Sequence, residues 1–206
     1  MVESNEIDVD VKIQTDIGQT PLYLACSSGR KTIVEYLMES DRIDVDANLK
    51  DDDGQISLHH ACRHDNAETV KYLMESGRVS MTMEDNYGST LIHHACWSER
   101  PDALKHLVQS SHVNVDAYIN KQNKKGSTPL HGACWFGRID VVRYMMESDG
   151  IGVDIDVNVR NNNGDTPLHS ACRSGNKEMI AYLLDLDELD VRPEVIGPNH
   201  RGDSLL

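Results

Sequence analysis

The side chains in this chain that could ligate a metal or move a proton are 10 histidines, five cysteines and 34 acidic residues. Two histidine pairs, His59-His60 and His93-His94, invite a metal reading. Adjacent residues on a helix point roughly 100° apart, so neither pair closes on one ion from one face. Nor does a cysteine or carboxylate stand at a suitable spacing from them. There is no Cys-x-x-Cys pair, which excludes a zinc ribbon. Asp154-Ile155-Asp156-Val157-Asn158 hints at a calcium loop, but Val159 stands where the turn glycine is required and Asp165 where Glu is expected. No phosphate loop, nucleophile elbow or zinc-protease motif is present. The carboxylates lie on repetitive polar segments without the buried setting that tunes an acid or a base. The expectation is a chain with no catalytic residues, no metal and no cofactor.

What positions these residues is a repeat. Cys26, Cys62, Cys96, Cys134 and Cys172 each follow an alanine, in equivalent slots, and read as small core residues. Free buried thiols suit a reducing compartment, and the absence of an Asn-x-Ser/Thr sequon agrees. The surrounding frame is Gly126-Ser127-Thr128-Pro129-Leu130-His131-Gly132-Ala133-Cys134, matched by Gly164-Asp165-Thr166-Pro167-Leu168-His169-Ser170-Ala171-Cys172 and by the stretch from Gly18 to Cys26. Weaker copies start at Gly54 and Gly88, and a truncated one at Gly202; the glycines recur after 36, 34, 38, 38 and 38 residues. Each frame precedes an apolar block of helical period, such as Val141-Val142-Arg143-Tyr144-Met145-Met146. Within one unit Thr128 is placed to cap a helix. Pro129 suits its first position, and Gly137 permits the left-handed turn that ends it. A second helix over about residues 140–147 should pack back, and a polar stretch leads to the next glycine at a hairpin tip. One helix pair cannot bury its own apolar face, so neighbours must stack.

The Gly-x-Thr-Pro-Leu-His-x-Ala frame resembles the ankyrin repeat over nearly the whole chain. That resemblance implies an all-α-type repeat solenoid of stacked units, each a β-hairpin plus two antiparallel helices. Five repeats are expected, at about residues 16–50, 51–84, 85–122, 123–160 and 161–198, forming one domain over 1–206. Residues 1–15 mirror the tail of a preceding repeat and 199–206 start a further one, so the chain reads as part of a longer array. The family period is about 33 residues, so the segments before each hairpin tip, such as 41–48, should form enlarged loops. Repeats two and three depart further. Ile56-Ser57 and Thr90-Leu91 replace Thr-Pro, and Asp65 and Glu99 replace the turn glycine. Asp enters the left-handed region more readily than Glu. The Glu99 turn should be altered and the centre of the array locally weaker.

A residue type that recurs at one slot serves the fold, whereas an unusual one at a variable slot is a candidate for recognition. His59, His93, His131 and His169 share a slot that, by the resemblance, links neighbouring loops. Tyr36, Tyr72, Tyr144 and Tyr182 share another and read as packing residues with an exposed hydroxyl. Trp97 and Trp135 instead fall where other repeats carry Ser27, Arg63 and Arg173, and Phe136 is the only Phe. By the resemblance these positions lie on the concave face. The two tryptophans should sit side by side with Arg63 and Arg173 flanking them. Trp and Arg dominate binding hot spots, although enlarged loops folding over the rings is the alternative. Tyr87, Lys124 and Lys125, with Asp52 and Asp53, would supply a polar rim at the tips.

The expected function is a non-catalytic scaffold that binds another protein through the concave face and hairpin tips. The alternative is a regulatory or targeting segment of a larger enzyme such as a kinase or ubiquitin ligase. A net charge of -14 disfavours nucleic acid and favours a basic partner. No apolar run approaches the roughly 18 residues of a membrane span, and the acidic start of the chain is no signal peptide. A monomer in the cytoplasm or nucleus is expected. Arg201-Gly202-Asp203-Ser204 contains the tripeptide integrins recognise, but the repeat frame accounts for it.

Overall fold

A computed structural model describes residues 11–40, 44–148, 151–186, 197–200 and 202. The readings made above for the first ten residues, for 41–43 and for Arg201 and Asp203–Leu206 lie outside the described residues.

Described helices come in pairs. They are α1 (Pro21–Ser27) with α2 (Lys31–Glu39), α3 (Ser57–Arg63) with α4 (Ala67–Glu75), and α5 (Leu91–Cys96) with α6 (Asp102–Gln109). After the short α7 (Val115–Tyr118) come α8 (Pro129–Trp135) with α9 (Ile139–Glu147) and α10 (Pro167–Ser174) with α11 (Lys177–Leu184). Four of the five first helices start where a side chain supplies a missing acceptor. Thr20, Thr90, Thr128 and Thr166 each accept from the backbone N–H three residues on. Pro21, Pro129 and Pro167 hold the first turn. Ile56 has no hydroxyl to offer, and α3 starts without that bond.

Consecutive first helices stack on one another from α1 through α3, α5 and α8 to α10, and α2, α4 and α6 stack behind them. Leu22, Leu58, Leu91, Leu130 and Leu168, with four of the five cysteines, form one continuous buried core. Burial pushes the Cys26 thiol up to about 12 and raises the others, so at neutral pH they are packing groups rather than nucleophiles.

The left-handed turns fall as the sequence indicated. Gly29, Gly137 and Gly175 have positive φ, and Asp65 takes the same conformation at φ 52°. The Asp65 carboxylate then accepts from Ala103 N at 2.7 Å, so it serves the start of α6 in the next unit. Glu99 does not follow; the turn after α5 is reshaped. α5 ends one residue early, Trp97 caps it, and Ser98 Oγ lies 2.6 Å from the carbonyls of both Ala95 and Arg100, sharing its one proton between them.

The expected β-hairpins are reduced to tight turns, with no strand among the described residues. At one tip Asp51 N donates to Gln55 O and Gly54 N to Asp51 O, both at 2.9 Å. Neighbouring tips are tied by backbone bonds, Asn86 N to Asp53 O at 2.8 Å, Lys124 N to Tyr87 O at 2.8 Å and Asn162 N to Lys125 O at 3.0 Å. These spaced bonds are too few to form a ladder, but they fix the tips in a row.

The enlarged segments are not merely polar. They bury Val45, Ala47, Val79, Val113, Ile119, Ile151, Ile155 and Val157 as an extension of the core. Asn48 and Asn120 bridge to the next segment through both ends of the amide. Asn48 donates to Arg78 O and accepts from Ser80 N; Asn120 does the same with Asp154 O and Asp156 N. A side-chain amide thus supplies the donor and acceptor a neighbouring strand would have provided.

The tyrosines of the shared slot differ among themselves. Tyr72 and Tyr182 donate to Glu39 and Glu147 of the preceding unit at 3.1 and 3.0 Å. The Tyr144 hydroxyl is instead buried without a hydrogen-bond partner, and Gln109 stands where those glutamates do.

Candidate protein-binding groove

The recurring histidines are structural. Nδ1 of His93, His131 and His169 accepts from the backbone N–H of Thr90, Thr128 and Thr166 at 3.2 Å. The proton is therefore on Nε2, which donates to Ser127 O, Asp165 O and Gly197 O in the next unit at 3.0–3.1 Å. His59 Nδ1 accepts from Ile56 N, but its Nε2 is buried without a hydrogen-bond partner. Burial holds His93 down at about 4 and His59 at about 3.

The second histidine of each pair does different work. His60 Nε2 meets Asp51 and His94 Nε2 meets Asp85, both at 3.1 Å. Asp85 also accepts from Tyr87 N and Ser89 N at the hairpin base. Burial raises its carboxyl, but the His94 and backbone hydrogen bonds outweigh that and hold it below the usual range. Where the second histidine is absent, at Leu24, Gly132 and Ser170, the base residue is Thr15, Asn123 or Asn161 instead of Asp. The histidine pairs are thus joints between helix and tip. Among the described residues no group of histidines, cysteines and carboxylates is arranged to hold a metal.

These joints carry an aromatic chain along the first helices. Tyr23 lies on His60 with ring centroids 4.0 Å apart, His59 on His94 at 4.8 Å, His94 on Trp97 at 4.5 Å, and Trp97 on Phe136 at 6.1 Å. The Trp97 indole reaches its place by crossing Gly132. A Cβ at position 132 would sit 2.0 Å from Nε1. Equivalent slots hold Leu24, His60, His94 and Ser170, so only this unit leaves room for a neighbour's indole.

Between the first helices and the hairpin tips runs an open groove of about 760 Å³. Arg63, Tyr87, Trp97, Lys124, Lys125, Trp135 and Phe136 all line it. Trp97 is half-buried, whereas Trp135, Tyr87 and Phe136 are 52%, 47% and 42% exposed. Among the described residues the enlarged segments do not line the groove; its walls are tips and first helices. The two tryptophans share the groove, but no ring contact joins them among the described residues. Arg63 stands over the Trp97 ring at 5.5 Å and Lys125 over Tyr87 at 5.7 Å. The Tyr87 hydroxyl donates to Asp53 at 3.2 Å. Arg173, expected to flank the tryptophans, does not line the groove. Its guanidinium is drawn to the buried Asp165 at 3.4 Å. Sequence reasoning missed Gly132 in the groove wall and the buried His94 that supports Trp97, although Gly132 is the only glycine in its slot.

A family model of ankyrin repeats (3 copies) matches residues 39–119 and 113–194, and an ankyrin-repeat model matches residues 18–47. The chain belongs to the ankyrin-repeat family. Domains of this family are typically non-catalytic and generally mediate protein–protein interaction. The comparison with curated proteins returns no match. No described helix is long and apolar enough to cross a membrane.

Proposed function

We propose that this chain is a non-catalytic scaffold of five ankyrin repeats, with partial repeats at both ends, that binds a partner protein along the groove between first helices and tips. The repeats take the boundaries given above, and the chain acts as a monomer. One observation carries the reading. Seven of the eight residues singled out from the sequence line a single groove, and its most exposed aromatic, Trp135, is held at the end of α8. Exposed aromatic patches on soluble proteins mark recognition sites. Aromatic and arginine side chains in rigid settings bind with little ordering cost.

The net charge of -14 supports a partner whose overall surface is basic, since long-range attraction speeds encounter. Five unpaired cysteines support an intracellular setting, cytoplasmic or nuclear. The same groove would serve equally as the targeting segment of a larger enzyme.

Affinity capture from a lysate of the source organism tests the reading, comparing the wild type with Trp135→Ala/Phe136→Ala. Both side chains are largely exposed, so the variant should melt within a few degrees of the wild type. The expected result is a protein retained by the wild type and lost from the variant. Equal retention would move recognition to the tips or the enlarged segments.

A further inference from the structure

Beyond its aromatic floor the groove meets a smaller cleft of about 400 Å³. Arg63, Trp97 and Phe136 border both, and Asp65, Glu99, Arg100 and Arg138 close the far side. Three arginines there face two carboxylates. The Asp65 carboxylate is committed to Ala103 N and to Arg100 Nε at 2.7 and 3.2 Å. Arg138 is fixed by donating Nε to Trp97 O at 3.1 Å, lies over Phe136 at 6.0 Å, and touches Glu99 only at 3.8 Å. Arg63 differs from both. Among the described residues it has no ion-pair partner, and its guanidinium is held over the Trp97 indole. A guanidinium stacked on a ring keeps its in-plane N–H donors, which match a carboxylate in bidentate fashion.

We propose that this cleft is a carboxylate subsite. An acidic side chain of a linear segment of the partner pairs with Arg63, and an adjoining apolar side chain packs on Trp135 and Phe136. This rests on the groove being the recognition surface, and it fixes the chemistry recognised there. The sign is opposite to that set by the whole-chain charge. The two act at different ranges, because net charge steers the approach over separations up to a Debye length of about 8 Å at physiological salt while the subsite acts at contact. A partner can therefore be basic overall and present an acidic residue at the point of contact.

The test is selection of random linear peptides displayed on phage against the full chain, followed by affinities of synthetic, C-terminally amidated copies. Amidation leaves side-chain carboxylates as the only ones read. Wild type should enrich peptides with Asp or Glu beside an aromatic or aliphatic residue. Arg63→Gln should bind the leading peptide about tenfold more weakly, the order of one charge-assisted pair. Exchanging the peptide's acid for its amide should weaken wild type equally and leave Arg63→Gln unaffected. Peptides that need Trp135 and Phe136 but show no acidic preference, or that bind Arg63→Gln unchanged, overturn the subsite alone. An empty selection overturns the linear-segment subsite, and binding indifferent to Trp135→Ala/Phe136→Ala overturns the groove reading itself.

Discussion

The indole of Trp97 occupies the volume that any side chain at position 132 would need. Gly132→Ala should therefore push the indole out of the groove floor. We expect a red-shifted tryptophan emission and a loss of about 1–3 kcal/mol in urea unfolding, the usual cost of overpacking. An unchanged spectrum would mean that the indole does not rest there. The buried histidines give a second residue-scale prediction. Burial lowers His60 and His93 to about 4 and His59 to about 3, with His94, His131 and His169 shifted the same way. The unfolded chain therefore takes up protons before the folded one does. Their contribution to stability is complete above the ordinary histidine value near 6.5 and is lost as pH falls from there towards about 4. Thermal melts should be level from pH 7.5 to 7 and fall steadily between pH 6.5 and 4.5. A midpoint that does not move over that lower range would contradict the neutral Nε2–H tautomer.

At the scale of elements, the turn between α3 and α4 is built differently from its counterparts. Asp65 takes a left-handed φ of 52° and reaches across to cap α6. Asp65→Ala keeps the strain and loses the cap, and should cost about 1–3 kcal/mol. Asp65→Gly relieves the strain and should cost less; the order of the two midpoints in denaturant checks this. The turn after α5 has no left-handed residue at Glu99, and α5 spans only six residues. Amide hydrogen exchange should be faster over residues 97–101 than over 135–138, where Gly137 closes a regular turn. Equal protection would remove the expected weak point at the centre.

At the scale of the molecule, the stacked helix pairs were legible because each unit repeats the same cues. Thr at a cap, Pro after it and Gly at the turn each have one physical use, and four copies of the Thr and three of the Pro and Gly expose it. What was not legible depends on side-chain contacts, between units or within one. Gly132 gains its meaning from Trp97 one unit earlier, and Arg173 is taken from the groove by Asp165 of its own unit. Arg100 and Arg138 gave no signal because their slots vary among charged and polar types. The hairpin arms were expected as strands, yet the backbone bonds between tips are too widely spaced for a ladder. The central claim is that the partner lies in the groove of Trp97, Trp135 and Phe136. The most direct test places a photo-crosslinking amino acid at position 135 and, separately, at Lys71 on α4, outside the groove-lining set. Irradiation in lysate should give a discrete adduct from position 135 and none from position 71. Adducts from position 71 alone would place recognition on the second helices and contradict the account.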